Sequence, residues 1–310
     1  MNITLLLTVL GFQVAADALP AGPVHISPTS MVLTHMRQPR SLQVLGTSAE
    51  GYTLDLSKDT KFVSAGPAIA RVDENGWVHP VSNGATMISV TVQGKTSTIP
   101  VEVKLPMEEP KYSFLHEVMP VLSQSGCNAG ACHGYSLGKN GFKLSLRGSD
   151  PMLDYPSIAR EFFGRRVDIL KPDASLIVAK SRGDAAHEGG VRFAKNSLSD
   201  TIMVNWIRQA TPDDSKDTLQ VTGVRMMPQK LVLQPGQKHK LQLIADYNNG
   251  TSRDVTKLGI FTVNNDQFAK VDEQGMVTAG DAGETAIVGR FERTFAATGV
   301  LVLIDTKGFV

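Results

Sequence analysis

Cysteine is almost missing from this chain. Only 2 occur in 310 residues, Cys127 and Cys132, too close together for a disulfide framework to span the fold. A surplus of either charge is missing too: 31 Lys and Arg stand against 30 Asp and Glu, a formal net charge of +1. That removes the basic excess with which a nucleic-acid binder neutralises phosphates. Tryptophan is scarce at 2 residues, and aromatic residues make up 6% of the chain. No Ser-His-Asp motif, phosphate loop or paired-carboxylate signature stands out, so the expectation is a protein that is not an enzyme. Long apolar runs are also lacking. Ile3 to Val14 is the one candidate, and it falls short of the roughly 20 residues that a membrane span requires. Small residues follow it at Ala15, Ala16 and Ala18, in the pattern of a cleaved signal peptide over 1–18, although no Lys or Arg precedes the run. Export to the periplasm or cell surface is expected, with no membrane span in the mature chain.

What is present is ordinary folded composition, 42% hydrophobic and 20% charged, at a length that implies two or three domains. A repeat organises it. Ala70-Arg71-Val72-Asp73-Glu74-Asn75-Gly76-Trp77-Val78 returns as Ala269-Lys270-Val271-Asp272-Glu273-Gln274-Gly275-Met276-Val277. The same 199-residue offset pairs Leu42 with Leu241, Asp55 with Asp254, Phe62 with Phe261 and Gly84 with Gly283. The copies cover about 24–104 and 221–304. In each, apolar residues alternate with polar ones (Ile88, Val90, Val92; Leu241, Leu243), and Asn-Gly, Pro-Gly or Gln-Gly turns separate the runs. Period two with turns at short intervals predicts two β-sandwiches. The Val-Asp-Glu-x-Gly-x-Val phrase, followed by a Gly-x-Thr-x-Ile strand, resembles the bacterial Ig-like group 2 domain. Neither copy has an intersheet cysteine pair, so packing alone must stabilise both.

Between the copies, over 110–212, the period changes. Ser113 is placed to cap a helix bearing Phe114, Val118, Val121 and Leu122, which Pro120 bends or ends. Ser199 is placed to cap a second helix with Ile202, Met203, Trp206 and Ile207 on one face, and the glycines between them read as loops.

The chemistry concentrates in Gly126-Cys127-Asn128-Ala129-Gly130-Ala131-Cys132-His133-Gly134. A Cys-His pair with a second cysteine just upstream is the arrangement of covalent c-type haem attachment, in which two thiols bond the macrocycle and the next imidazole reaches the iron. Here four residues separate the cysteines rather than the usual two. A local Cys127–Cys132 disulfide, a zinc site and a reactive dithiol are competing readings of the same residues. The run, followed by Gly138-Lys139-Asn140-Gly141-Phe142-Lys143-Leu144 and by Gly164-Arg165-Arg166, Pro172-Asp173-Ala174-Ser175-Leu176, His187-Glu188-Gly189-Gly190 and Trp206-Ile207, resembles the planctomycete-type cytochrome c domain.

That resemblance implies a small, mainly α-helical cytochrome c-like domain between two all-β Ig-like sandwiches. It implies one covalent haem c on Cys127 and Cys132, with His133 as proximal iron ligand. It also implies His187 as candidate distal ligand, with Met152 as the alternative. Arg147, Arg165, Arg166 and Arg192 are candidate partners for haem propionates. Met203 reads as core and His116 as a solvated surface residue, while His25, His35, His79 and His239 lie in the repeats. Relatives of this kind continue further, so the chain reads as a short relative or a fragment. Two functions compete. One is an exported cytochrome module for electron transfer or redox sensing, with a redox partner protein. The other is a surface binding or adhesion protein whose Ig-like domains meet a cell-surface or carbohydrate ligand, with the cysteines in a structural disulfide.

Overall fold

The computed structural model describes residue 20 and residues 22–304, so the predicted leader over 1–18 lies outside the described residues. Alternation builds the two ends. In Gly84–Val92 the residues Ile88, Val90 and Val92 are buried, and the strand pairs antiparallel with Lys95–Val103 from Lys95↔Val92 to Val103↔Gly84. Thr60–Ser64 extends this sheet on one side. Met31–Leu33 runs parallel to Lys95–Val103 on the other. Two three-stranded sheets complete the sandwich: His25–Ser27, Gln43–Thr47 and Thr53–Asp55; and Arg40–Ser41, Trp77–Pro80 and Ala70–Val72.

The second copy has the same strand order in all three sheets. Its long hairpin, Gly283–Phe291 with Thr294–Val302, runs in the register Gly283↔Val302 to Phe291↔Thr294. The turn glycines explain part of the repeated phrase. Gly76 and Gly275 sit at φ +76° and +78°, where a Cβ would also meet Phe62 at 3.0 Å and Phe261 at 3.3 Å. Only glycine meets both demands at low cost. At the hairpin tips Gln93 and Glu292 share a left-handed φ of 51°.

The segment between the sandwiches is a set of short helices and turns. Ser113 does cap the first one, its Oγ accepting from His116 N at 2.8 Å. Phe114–Val118 winds as a π-turn before Met119–Gln124 continues as α-helix. Pro120 therefore sits near the start of the α-helical part rather than its end. Lacking an N–H, Pro120 leaves the His116 carbonyl free, and that carbonyl accepts from Arg253 Nη1 of the second sandwich at 3.1 Å. Pro151–Ala159 and Leu176–Arg182 are helical where loops were expected. The last helix is Leu198–Arg208, and its cap is Ser197 rather than Ser199. Ser197 Oγ accepts from Asp200 N, and the Asp200 carboxylate reaches back to Asn196 N at 2.8 Å, close to a capping box.

These observations correct the expected fold class. The chain is mostly β, two sandwiches with a small helical region, and the longest helix of that region has 11 residues. The region is not a separate cytochrome-like body either. Its buried residues, among them Phe114, Leu122, Met203 and Trp206, belong to one continuous apolar cluster with Met226, Leu243, Phe291 and Val302 of the second sandwich. The first sandwich keeps its own core around Leu42, Val44, Ile88 and Val101.

A polar seam joins the two sandwiches. The buried Asp254 carboxylate accepts from Ser41 N at 3.1 Å and Ser41 Oγ at 2.6 Å across the interface, and from Thr256 within its own domain. Gln242 Nε2 donates to Ser41 O at 2.9 Å, and Gln237 Nε2 to Thr53 O at 2.8 Å. Trp77 is buried between the ammonium groups of Lys240 and Lys257, 5.0 and 4.1 Å from its ring centre.

Two outcomes are expected. Replacing Asp254 with alanine strands the Ser41 and Thr256 donors and should cost about 1–3 kcal/mol, read as a lower urea midpoint; an unchanged midpoint would remove Asp254 from its role as the tie. Gly275→Ala forces an L-residue into left-handed backbone against Phe261 and should cost about 1–2 kcal/mol or more in thermal unfolding, whereas Gly250→Ala, with open space around it, bears only the backbone cost.

Candidate functional site

The Cys127–His133 loop is held by its own backbone. Cys127 N donates to Leu122 O at the end of the preceding helix, Cys132 N to Ala129 O, and His133 N to Cys127 O at 3.0 Å. Asn128 is buried, its side chain donating to Ser123 Oγ and its carbonyl accepting from Arg147 N. A Cβ on Gly134 would lie 2.1 Å from Asn128 O, so the loop closes this tightly only with glycine there. Small residues at 129–131 leave room for the closure.

The loop forms one wall of a cavity of about 450 Å³ that brings Cys127, Cys132 and His133 together with His187. Phe142 and Phe162 contribute apolar surface, and Arg165, Arg166 and Arg192 also line it. The two imidazoles face each other with ring centres 6.3 Å apart and planes within 4° of parallel. His133 Nδ1 lies 3.0 Å from Phe142 O, and His187 Nδ1 lies 3.1 Å from Gly190 O. A carbonyl only accepts, so each Nδ1 carries a hydrogen, and the tautomer this selects for a neutral ring has its lone pair on Nε2. Burial above all, with the charges of Arg166 and Lys139, lowers the His133 pKa and favours its neutral form.

The Cys127 sulfur packs against the apolar core, and burial pushes its thiol up to about 11, opposed by Arg192. For Cys127 this is the reverse of an activated thiol. Arg192 Nη2 lies 4.0 Å from Cys132 Sγ, and the two cysteines are not bonded to each other.

Other residues singled out in the sequence fall elsewhere. Met152 is 57% exposed on Pro151–Ala159 and takes no part in the cavity wall. Met203 is fully buried core, as expected. Arg147 is exposed away from the cavity, whereas Arg166 is a clamp, donating to Ser157 O and Gly141 O at 2.7 Å and lying over the Phe142 ring. His116 is not a solvated residue: it is buried, its Nδ1 2.6 Å from Glu292 Oε1, with Tyr247 packed edge-on. The sequence reading passed over Phe142 and Phe162 as cavity walls. The one local signal is at Phe142, which follows Gly141 directly; Phe162 carries none, since its neighbour Phe163 stands between it and Gly164. Phe162 and Phe163 both adopt left-handed backbone, φ 52° and 58°, which turns the Phe162 ring to the cavity while Phe163 stands in solvent.

Among the described residues, no group of three or more His, Cys, Asp or Glu is arranged to hold a metal ion. No described helix is long and apolar enough to cross a membrane.

Comparison with known proteins bears on the two ends of the chain. Residues 58–105 match the bacterial Ig-like domain, and residues 220–299 match the bacterial Ig-like domain of group 2. No curated protein matches the chain. Among solved structures, domains 5–6 of the S-layer protein SbsC align at 11% identity over 92% of this chain and 98% of that one, with a TM-score of 0.36. A longer SbsC structure, domains 4–9, aligns at 13% identity over 85% of this chain with a TM-score of 0.24, and this chain spans only 25% of its length. Human protocadherin-24 EC1-2 aligns at 6% identity over 89% of this chain and 94% of that one, TM-score 0.17. The family matches are to Ig-like domains and not to a cytochrome c domain, which overturns the expected cytochrome c-like electron-transfer module. The chain carries two bacterial Ig-like domains, one on either side of a short helical segment.

Proposed function

We propose that this chain is an extracytoplasmic surface protein of the binding or adhesion type, in which two Ig-like domains brace a helical segment that carries a ligand cavity. It acts by binding rather than by catalysis. The observation that carries this reading is the pair of Ig-like matches, supported by identical strand order in the two sandwiches. The apolar leader pattern of 1–18 supports export. Antibody against the second sandwich is expected to label intact producing cells without permeabilisation; label confined to lysed cells would sink the reading.

A second reading concerns what the cavity holds, and one observation favours it: two parallel imidazoles across a gap beside two unbridged thiols. We infer that this cavity would hold a covalently attached haem, with Cys127 and Cys132 as the thiols to anchor it and His133 and His187 as the imidazoles available to its iron. The residues fit such a group. Both Nε2 atoms are bare, Phe142 and Phe162 offer apolar contact, and Arg165 and Arg192 are cations for propionates. The resemblance of 126–134 to the planctomycete-type attachment run supports the same assignment. Protein matured with a haem-attachment system should gain the mass of one haem, and Cys127→Ser with Cys132→Ser should abolish the gain. His187→Ala should keep the added mass but change the ferric spectrum from low to high spin. Unmodified thiols after maturation would refute the assignment, and a low-spin spectrum surviving His187→Ala would refute the distal ligand.

A further inference from the structure

A second cavity lies apart from the cysteines, where the first sandwich, the helical segment and the second sandwich meet. Its volume is about 320 Å³. That falls within the range of roughly 300–1,000 Å³ typical of small-molecule sites, which favour domain junctions. Trp77 comes from the first sandwich, Tyr112 and Glu117 from the start of the helical segment, Arg37 from the loop before Arg40–Ser41, and Arg253 and Lys257 from the second sandwich. Met36, Leu198, Ile202 and Leu258 give it an apolar side.

The donors in this cavity outnumber their acceptors. Arg253 is only 8% exposed; its Nη1 donates to His116 O, its Nη2 stops 3.8 Å short of Glu117 Oε1, and its Nε has no partner. Arg37 donates through Nη1 to Glu109 and to Pro110 O, and through Nη2 to Lys111 O, while lying over the Tyr112 ring; its buried Nε also has no partner. The Glu117 carboxylate accepts from Ser113 N at 2.9 Å, yet stands 3.6 Å from Arg37, beyond a good hydrogen bond to either guanidinium. The Asp254 carboxylate, also on the wall, is committed to Ser41 and Thr256. Lys257 meets the Trp77 ring rather than a carboxylate. His79 also lines the cavity, its Nε2 3.4 Å from Asp73 Oδ2.

Buried N–H groups without acceptors are rare in native proteins and mark a missing partner. A guanidinium is shaped for a carboxylate. We propose that this junction cavity binds a small organic carboxylate, its oxygens taken by Arg37 and Arg253 and its apolar body lying against Ile202 and Leu258. The site is independent of whatever occupies the cysteine cavity.

The test uses the full chain and benzoate as probe. The protein has 2 tryptophans, so two indole N–H signals report in a nitrogen-15 NMR spectrum: Trp77 on this cavity and Trp206 in the core. Benzoate should move the Trp77 signal saturably and leave Trp206 in place, while its neutral isostere benzamide moves neither. Arg253→Lys keeps the charge but loses the fork and should weaken binding about tenfold, the worth of one charge-assisted hydrogen bond. Lys257→Met, an exposed change with little risk to folding, should weaken it by a smaller factor. No saturable shift, an equal response to benzamide, or an equal response to inorganic sulfate alone would each overturn the proposal.

Discussion

One apolar core ties the helical segment to the second sandwich, and much of the remaining architecture follows from it. Phe114 and Trp206 lie against one another with ring centres 5.7 Å apart, Tyr155 meets Phe114 edge-on, and the same cluster runs on through Met226 and Leu243 to Val302. Helices this short have little stability of their own, because nucleation is costly and few intrahelical bonds repay it. They persist here because their apolar stripes complete a core that the sandwich has already begun. The cavity loop inherits this rigidity through Leu122, buried in the cluster, whose carbonyl receives Cys127 N. Geometry at the cysteines is thus set by packing that continues into another domain.

The sandwiches were legible in the sequence because their signals are local and were written twice. Period-two alternation, turn glycines and a constant offset each report on a few neighbouring residues, and the strands Ala70–Val72 and Ala269–Val271 fall where the repeated phrase predicts. The helical segment was legible only where capping and stripe coincide, at Ser113 and around Trp206. Pro151–Ala159 was hidden by a proline inside it, Pro156, and Leu176–Arg182 is barely two turns long. The shift of the cap from Ser199 to Ser197 turned on the reach of Asp200, which bonds both Asn196 N and Arg182. His116 looked solvated because its partner Glu292 lies 176 residues away. Of the site, Cys127, Cys132, His133 and His187 could be named in advance. The carbonyls that fix the two imidazoles, Phe142 O and Gly190 O, could not, since backbone acceptors carry no residue signature.

The polar contacts at the three-way junction follow a common logic. The buried charges there are held by backbone or hydroxyl groups more than by an opposite charge: Asp254 by Ser41 and Thr256, Arg253 by the His116 carbonyl, Glu117 by Ser113 N. Such partners do not move when a neighbouring ion pair breaks, and they suit a junction assembled from three pieces of chain. They also tie specificity of docking to backbone position, so the pieces fit in one orientation.

The hairpin tips draw out a consequence of duplication. Gln93 and Glu292 occupy the same backbone slot with the same φ of 51°, yet Gln93 faces solvent while Glu292 grips His116. Two copies that share every strand therefore present unlike outsides, and the helical segment can tell them apart by a single turn residue. Internal symmetry survives in the main chain and is broken in the side chains. A symmetrical pair of modules has in this way acquired a front and a back, with the middle of the chain committed to one of them.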